Sequence, residues 1–590
     1  MRFFSYFVTD APATFCSPHT EMETGEHPWI DEIFGCMERD VQSLDNAIAA
    51  ERRADRKARA LIFAVVLFTL FPYLFGAWLS LGRKYFWINH NIDDNCVYLA
   101  WIRQAQEGHF FFENRFTTDP QPRLSTNLFF WAIGTIARWT GLPVLFLFHA
   151  ARMGLGIVWL WTLWLLYKRL LPDGARIPAL WLACVSAGLG WLFWRDVGIN
   201  APIDTWQVEA FTFLSLYLNP LFVVGTLLMT ACIYDLWRGV QERRWVYAVR
   251  AGIWALLLGN IHSYDVIQVA VAWLAFLVVS SIVLKRLDRQ RWFMAVTAGT
   301  IGFPTVAYQY WLYRVDPIFR HRADVPTSAP PLWHVLAGYA PLLILAVVAV
   351  FLTVRERRHR EEPFLLLLCW AIVGVGLQYL PKIFAIAGIH VPMNFERKMV
   401  MGAHLPLCAL AGWGLWLLVR HLPTRRALLV TALVIALTTP SNVRWLIRDA
   451  HNLIRNMANT GMHRAYMEPE EWEAIQWLAQ NTSPEEAVLT FPSFGVFLPP
   501  FAGNKVYAGH WGETPQFAER LRETLRFLDA RRSDEERYDL LRRAKVKYIV
   551  AFSPELESWF GVPLRDFVAQ PLRGTEVVFQ NRWVVILKVL

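Results

Sequence analysis

Along this chain, long apolar runs alternate with short polar connections up to about residue 447, after which the pattern changes. Residues 61–81 form the first run, and about 20 apolar residues suffice to cross a bilayer. Further apolar segments fall near 144–166, 177–194, 213–236, 247–260, 266–284, 292–311, 332–354, 364–380, 399–418 and 427–447. Together they predict about eleven transmembrane helices by hydropathy. The stretch 125–139 is also apolar, but it is short and carries Arg138, which predicts an interfacial or re-entrant helix.

Beyond residue 450 the periods shorten. Residues 470–479 read as a helix with Trp472, Ile475 and Ala479 on one face, and 515–528 and 534–543 read as two more. Residues 487–490 and 547–552 read as strands, and 576–579 with 583–589 as a closing hairpin. The expected architecture is a polytopic α-helical membrane protein with a C-terminal α/β domain. Its regions are an extension at 1–59, a membrane domain at 60–450 whose first outer loop is 82–143, and the α/β domain at 451–590.

Composition supports the membrane assignment: 55% of the 590 residues are hydrophobic and the mean hydropathy is +0.28. Lys and Arg exceed Asp and Glu by 58 − 49 = 9, yet the excess sits on membrane-flanking loops. No basic-aromatic stripe is present, so nucleic acid is not an expected partner. Arg52, Arg53, Arg56, Lys57 and Arg59 precede the first run, and Lys168, Arg169, Arg243, Arg244, Lys285, Arg286, Arg357 and Arg425 continue the series on alternate connections. All fall on one side if 125–139 does not cross, and the positive-inside rule makes that side cytoplasmic. The C-terminal domain is then outside. The apolar run at the start of the chain is too short for a cleavable signal peptide, so the first span is expected to serve as the export signal. The seven Cys form neither a disulfide framework nor a metal-spaced cluster. A divalent metal held by carboxylates from separate loops stays open.

The outer loops hold most of the candidate chemistry. Asp93 and Asp94 begin an amphipathic helix in the first loop, and Tyr98 shares a face with Asp94 at i,i+4. A carboxylate here can accept a proton from an incoming hydroxyl, or it can cap the helix. Glu209, at the edge of an aromatic run, is costly at membrane depth unless paired, whereas Asp204 reads as a solvated loop carboxylate. The tight corner with His262, Tyr264 and Asp265 either positions a sugar or phosphate or caps helix ends. Basic groups on the outer side go against the charge bias: Arg314, Arg320, His321 and Arg322 in one loop, Lys382, Arg397 and Lys398, beside Glu396, in another. A cation at headgroup height can hold a lipid phosphate as a leaving group, or simply snorkel. The loop 491–513 is rich in Gly and aromatics, and its His510, Trp511 and Glu513 can contact an acceptor or anchor the domain.

An acidic residue in the first outer loop, an interfacial helix after it and an outer domain after many spans resemble the GT-C glycosyltransferases. That superfamily includes protein O-mannosyltransferases, oligosaccharyltransferases and the aminoarabinose transferase of lipid A. The stretches His262-Ser263-Tyr264-Asp265 and 497–511 are similar to those of bacterial members. The resemblance implies a hexosyl or pentosyl transferase of the bacterial inner membrane, using a polyprenyl-phosphate-linked sugar donor. It implies Asp94 or Asp93 as the catalytic base, and a donor phosphate against Arg397, Lys398 and Lys382. The sugar would lie beside Glu209 and Asp265, with Tyr98, His262, Tyr264 and Glu396 lining the substrate site. The acceptor is a lipid, glycan or protein, attacked with inversion. The Trp-Trp-Asp motif of oligosaccharyltransferases is missing, which argues against N-glycosylation. Two other classes remain: a transporter or flippase of lipid-linked saccharides, and a non-catalytic envelope scaffold.

Overall fold

The structure, a computed structural model, describes residues 28–590 apart from residues 194, 196–197, 392, 458–462, 530–532 and 570–571. Most of the N-terminal extension's first half, including the short apolar start of the chain, lies outside the described residues. Met1–Lys57 and Ala58–Leu590 form two compact units, and the second holds the membrane domain from its first apolar run onward together with both β-sheets.

Among the described residues, nine helical stretches are long and apolar enough to cross a membrane. Two of the eleven expected spans fall short of that measure: Trp245–Ile261 is too short, and Arg289–Val315 is long but carries charge at both ends; these two pack along one another. One of the runs that read as single spans, the fourth, is broken by proline. It divides into Thr212–Leu218 and Pro220–Glu242 at Asn219, whose backbone is extended (φ −147°, ψ 111°). Proline disfavours a helical residue before it, and the Asn219 side chain then accepts from the Leu221 N–H to start the next helix. The last span runs as Thr424–Thr438 and Pro440–Ile454, joined at Thr439, whose backbone stays near the helical region (φ −96°, ψ −30°).

Two short helices build the side of the membrane domain that carries the first loop. Ile92–Glu107 starts from Asn91 and stops at Gly108, whose φ of +105° suits only glycine. Leu128–Thr140 has 13 residues, about 20 Å, which is too short to span the bilayer. Its Gly134 lies against the Ile102 carbonyl, where any Cβ would collide, so the two helices pack with backbones in near contact. Asn127 caps this helix through Phe129 N and Phe130 N, and Asn260 Oδ1 accepts from Leu128 N at 2.6 Å. The 259–265 corner therefore does cap a helix, but one remote in sequence.

The C-terminal region is α/β as expected. A small ladder first ties it to the first loop: β1 (Lys84–Tyr85) pairs antiparallel with β2 (Tyr466–Met467). A four-stranded sheet follows, built from β3 (Ala487–Leu489), β4 (Val546–Phe552), β5 (Thr575–Gln580) and β6 (Val584–Val589), in the order β3-β4-β6-β5. β3 and β4 are parallel, and β5–β6 is a hairpin. Phe527, Leu540, Leu541 and Leu556 from its helices pack with Ile549, Val585 and Leu587 to form the core. Pro469–Asn481 opens with a capping box of Glu468 and Glu471.

This region rests on the first loop through polar contacts as well. Arg103 donates to the Phe501 carbonyl at 2.7 Å, Val506 N donates to the Arg115 carbonyl, and Arg520 grips Asp119 through both carboxylate oxygens at 2.7 and 2.6 Å. Both contacts come from the one nitrogen Nη2, while Nη1 donates to the Thr117 hydroxyl and the Tyr507 carbonyl. The docked loop at 510–513 is thereby held over the start of Ile92–Glu107.

Candidate functional site

A cavity of about 290 Å³ opens where the first loop, the 259–265 corner, the loop before His404–Val419 and the 510–513 loop meet. Asp94, Tyr98, Glu209, His262, Tyr264, Arg397 and Lys398 all line it. Residues separated by about 300 positions are thus brought to one surface, with acids and bases facing each other.

Asp94 lies in the first turn of Ile92–Glu107, as does Asp93; neither occupies the N-cap position, which belongs to Asn91. Both carboxylates complement the positive end of the helix dipole. Asp94 keeps 42% of its side chain exposed, but that exposure is into the cavity. Asn91 Nδ2 donates to its Oδ2 at 3.3 Å, and His510 Nε2 lies 3.4 Å from its Oδ1. Burial by itself would raise the Asp94 pKa; His510, Lys398 and Arg397 outweigh it and hold the carboxyl below its ordinary value. Asp94 is therefore ionised at neutral pH.

Asp93 takes a different place. It is buried, accepts from Trp511 Nε1 at 2.9 Å and is not part of the cavity wall. Tyr98 stacks on Phe130, with centroids 4.9 Å apart. Burial, and then the Asp94 charge, push its pKa up, so it stays a neutral phenol able to donate to a ligand oxygen.

The basic side of the cavity is loosely held. Lys398 Nζ stands 3.4 Å from the Tyr264 hydroxyl and 4.5 Å from that ring's centroid. Arg397 Nε is 3.6 Å from Glu209 Oε1, and its guanidinium lies over Trp206. Arg322, over Trp101 and 3.7 Å from Glu513, adds a third cation that nothing in its motif sets apart from its neighbours.

Other expected site residues lie outside the cavity wall. Lys382 is exposed and donates to the Ala329 carbonyl at 3.2 Å. Glu396 accepts from Ala329 N at 2.8 Å, which straps the 315–331 loop in place. Asp265 is 1% exposed, with Oδ2 3.1 Å from His262 Nδ1, and so touches the site only through that histidine. Asp204 is corrected outright: the expected solvated carboxylate is fully buried and accepts from Gly188 N, Gly190 N and the Ser441 hydroxyl. It is a structural knot, because a buried carboxylate persists only where donors satisfy it.

His510 and Trp511 do not simply anchor the domain. They meet Asp94 and Asp93 respectively, and His510 is 4% exposed. The hints in the sequence are the family-like stretch 497–511 and the clustering of His, Trp and Glu within it. Asn91, Asn127 and Asn260 also line the cavity, and no spacing rule points to them. Among the described residues, no group of three or more His, Cys, Asp or Glu is arranged to hold a metal ion.

No family model matches the sequence, and no curated protein matches it. Solved structures do. The arabinofuranosyltransferase from Mycobacteria aligns with 90% of this chain at 16% identity and a TM-score of 0.50; the chain spans 40% of that enzyme's length. The oligosaccharyltransferase of Archaeoglobus fulgidus, in its apo form, aligns with 84% of this chain and 70% of its own at 14% identity and a TM-score of 0.47. The same archaeal enzyme in complex with an inhibitory peptide and a dolichol-phosphate gives 12% identity and a TM-score of 0.45. At such identities the likeness is one of fold. The chain shares its overall fold with the arabinofuranosyltransferase from Mycobacteria.

Proposed function

We propose that this protein is an integral membrane glycosyltransferase that moves a sugar from a polyprenyl-phosphate-linked donor to an acceptor hydroxyl on the outer side of a bacterial inner membrane. The observation that carries the reading is the convergence of an ionised carboxylate, Asp94, with two loosely paired cations, Arg397 and Lys398, on one cavity. Inverting transfer needs that combination: a base for the acceptor and a counter-charge for the departing phosphate.

The donor phosphate lies against Arg397 and Lys398, with the sugar beside Glu209 and the aromatic face of Tyr98. The acceptor oxygen attacks the anomeric carbon, and its proton passes to Asp94. The bond from that carbon to the phosphate oxygen breaks, and its electron pair leaves on the phosphate. The cations stabilise the charge that develops there, and they are held loosely enough to turn toward it. The anomeric configuration inverts, because one displacement occurs at the carbon.

The test is to supply purified protein in nanodiscs with a panel of polyprenyl-phosphate hexoses and pentoses and an envelope extract, and to determine the anomeric configuration of any product. Transfer with inversion is expected. Donor binding without transfer across the whole panel, or a product with retained configuration, would overturn the reading.

A further inference from the structure

Successive residues of the C-terminal loop meet successive carboxylates of the first loop: His510 with Asp94, and Trp511 with Asp93. The histidine is locked on every side. Gly512 N and Glu513 N both point at its Nδ1, each at 3.0 Å. Its backbone N–H is directed to the Thr514 hydroxyl, which donates in turn to the Phe116 carbonyl at 2.7 Å. The ring stacks on Trp511 and receives the edge of Phe116. Two N–H donors on Nδ1 leave the neutral ring one tautomer, with its proton on Nε2, the nitrogen that stands 3.4 Å from Asp94 Oδ1.

We propose that His510 is a positioning residue for Asp94, delivered by the C-terminal region, so that the reaction centre is complete only while the 510–513 loop is docked on the first loop. The proposal rests on the glycosyltransferase reading for what Asp94 does, but the pairing itself is independent of it. Because Nδ1 is taken up by two backbone N–H groups and Nε2 carries the neutral ring's proton, His510 is not itself the base. Its Nε2 stands 3.4 Å from one Asp94 oxygen and leaves the other facing the cavity beside Asn91.

Other charges face this pair and share in its titration. Lys398 and Arg397 favour the Asp94 anion from the cavity side. Burial opposes protonation of His510, but Asp94 first, and then Glu513 and Asp93, outweigh it and raise the ring's pKa above its ordinary value. Tyr98 and His463 complete the surroundings, the latter within electrostatic reach of Asp93 and His510.

The test is the titration of Asp94 in the full chain in nanodiscs, read by infrared difference spectroscopy of its carboxyl band, assigned by its loss in Asp94→Asn. His510→Ala is expected to weaken Asp94 as an acid by about tenfold or more, since burial is then less opposed. His510→Gln, which keeps an N–H toward Asp94, is expected to move it less than about threefold. Trp511→Phe, which removes only the donor to Asp93, should leave the Asp94 band near its wild-type midpoint. An unmoved midpoint in folded His510→Ala overturns the proposal, and so does an equal shift in Trp511→Phe, which would mean general loop undocking. If the wild type transfers no sugar, the glycosyltransferase reading falls while this titration still decides the pairing.

Discussion

The helix Arg289–Val315 contributes Arg291 to a charged site at one end and Gln309 to the cavity at the other, and the two sites treat their cations differently. At one end Arg291 grips Glu362 with both nitrogens at 2.6 and 3.1 Å and Asp288 at 3.1 Å, while Arg243 meets Asp288 at 2.5 Å. At the other end, where Tyr264 and Gln309 line the cavity, the closest ionic approaches are 3.6 Å for Arg397 and 3.7 Å for Arg322. Close forked pairs have their hydrogen-bonding capacity committed to the fold. Loose pairs retain donors that a ligand can claim. The same residue types therefore serve stability in one place and are available for chemistry in the other.

Breaking the cavity at its carboxylate should have the largest effect. Asp94→Asn keeps the shape but removes the proposed base, and transfer is expected to fall by about 10²–10⁴-fold in single-turnover assays. Arg397→Ala and Lys398→Ala should each lower transfer by about 10²-fold, with the melting temperature nearly unchanged. Arg291→Ala should do the reverse: thermal unfolding shifts by an amount equivalent to roughly 2 kcal/mol, and donor affinity stays at the wild-type level. If Arg291→Ala impaired donor binding as much as Arg397→Ala, the contrast between the two ends would collapse.

A carboxylate in the C-terminal region sharpens the comparison with a smaller effect. Glu555 is partly buried, accepts from Ser493 Oγ at 2.9 Å, and has Arg464 only at 3.9 Å, while that arginine is engaged by Glu471 at 2.8 Å. Burial pushes its pKa up to about 7, against the opposing pull of Arg464 and Ser493, and Glu471 adds to the rise. The native state thus binds this proton more tightly than the unfolded chain. The associated stability is present below the ordinary glutamate value, and it is lost as pH rises through about 7. Glu555→Gln should flatten that loss, which a melting series from about pH 5 to pH 8 would show. An identical slope in both proteins would place the effect elsewhere.

Much of the fold was legible because membrane spans and amphipathic helices follow hydrophobic periodicity. The expected helix at 534–543 coincides with Asp534–Arg543, and the closing hairpin lies within a residue or so of β5 and β6. The break at Asn219-Pro220 went unread, because a hydropathy window averages across a proline that the backbone cannot ignore. Within the cavity, Asp94, Glu209, Arg397 and Lys398 stood out as charges in costly positions. His510 and Arg322 owe their places to how the C-terminal region and the 315–331 loop fold over the first loop, and periodicity does not encode such long-range docking. Asp204 was misjudged for the same reason: its donors Gly188, Gly190 and Ser441 come from segments that only tertiary structure brings together.

The most direct test of the central claim measures donor binding and sugar transfer side by side for the wild type and Asp94→Asn in nanodiscs, using the same polyprenyl-phosphate sugar. The account predicts that both proteins bind the donor with similar affinity and that only the wild type transfers its sugar. Transfer by Asp94→Asn at the wild-type rate would contradict it, because a carboxamide cannot take the acceptor's proton.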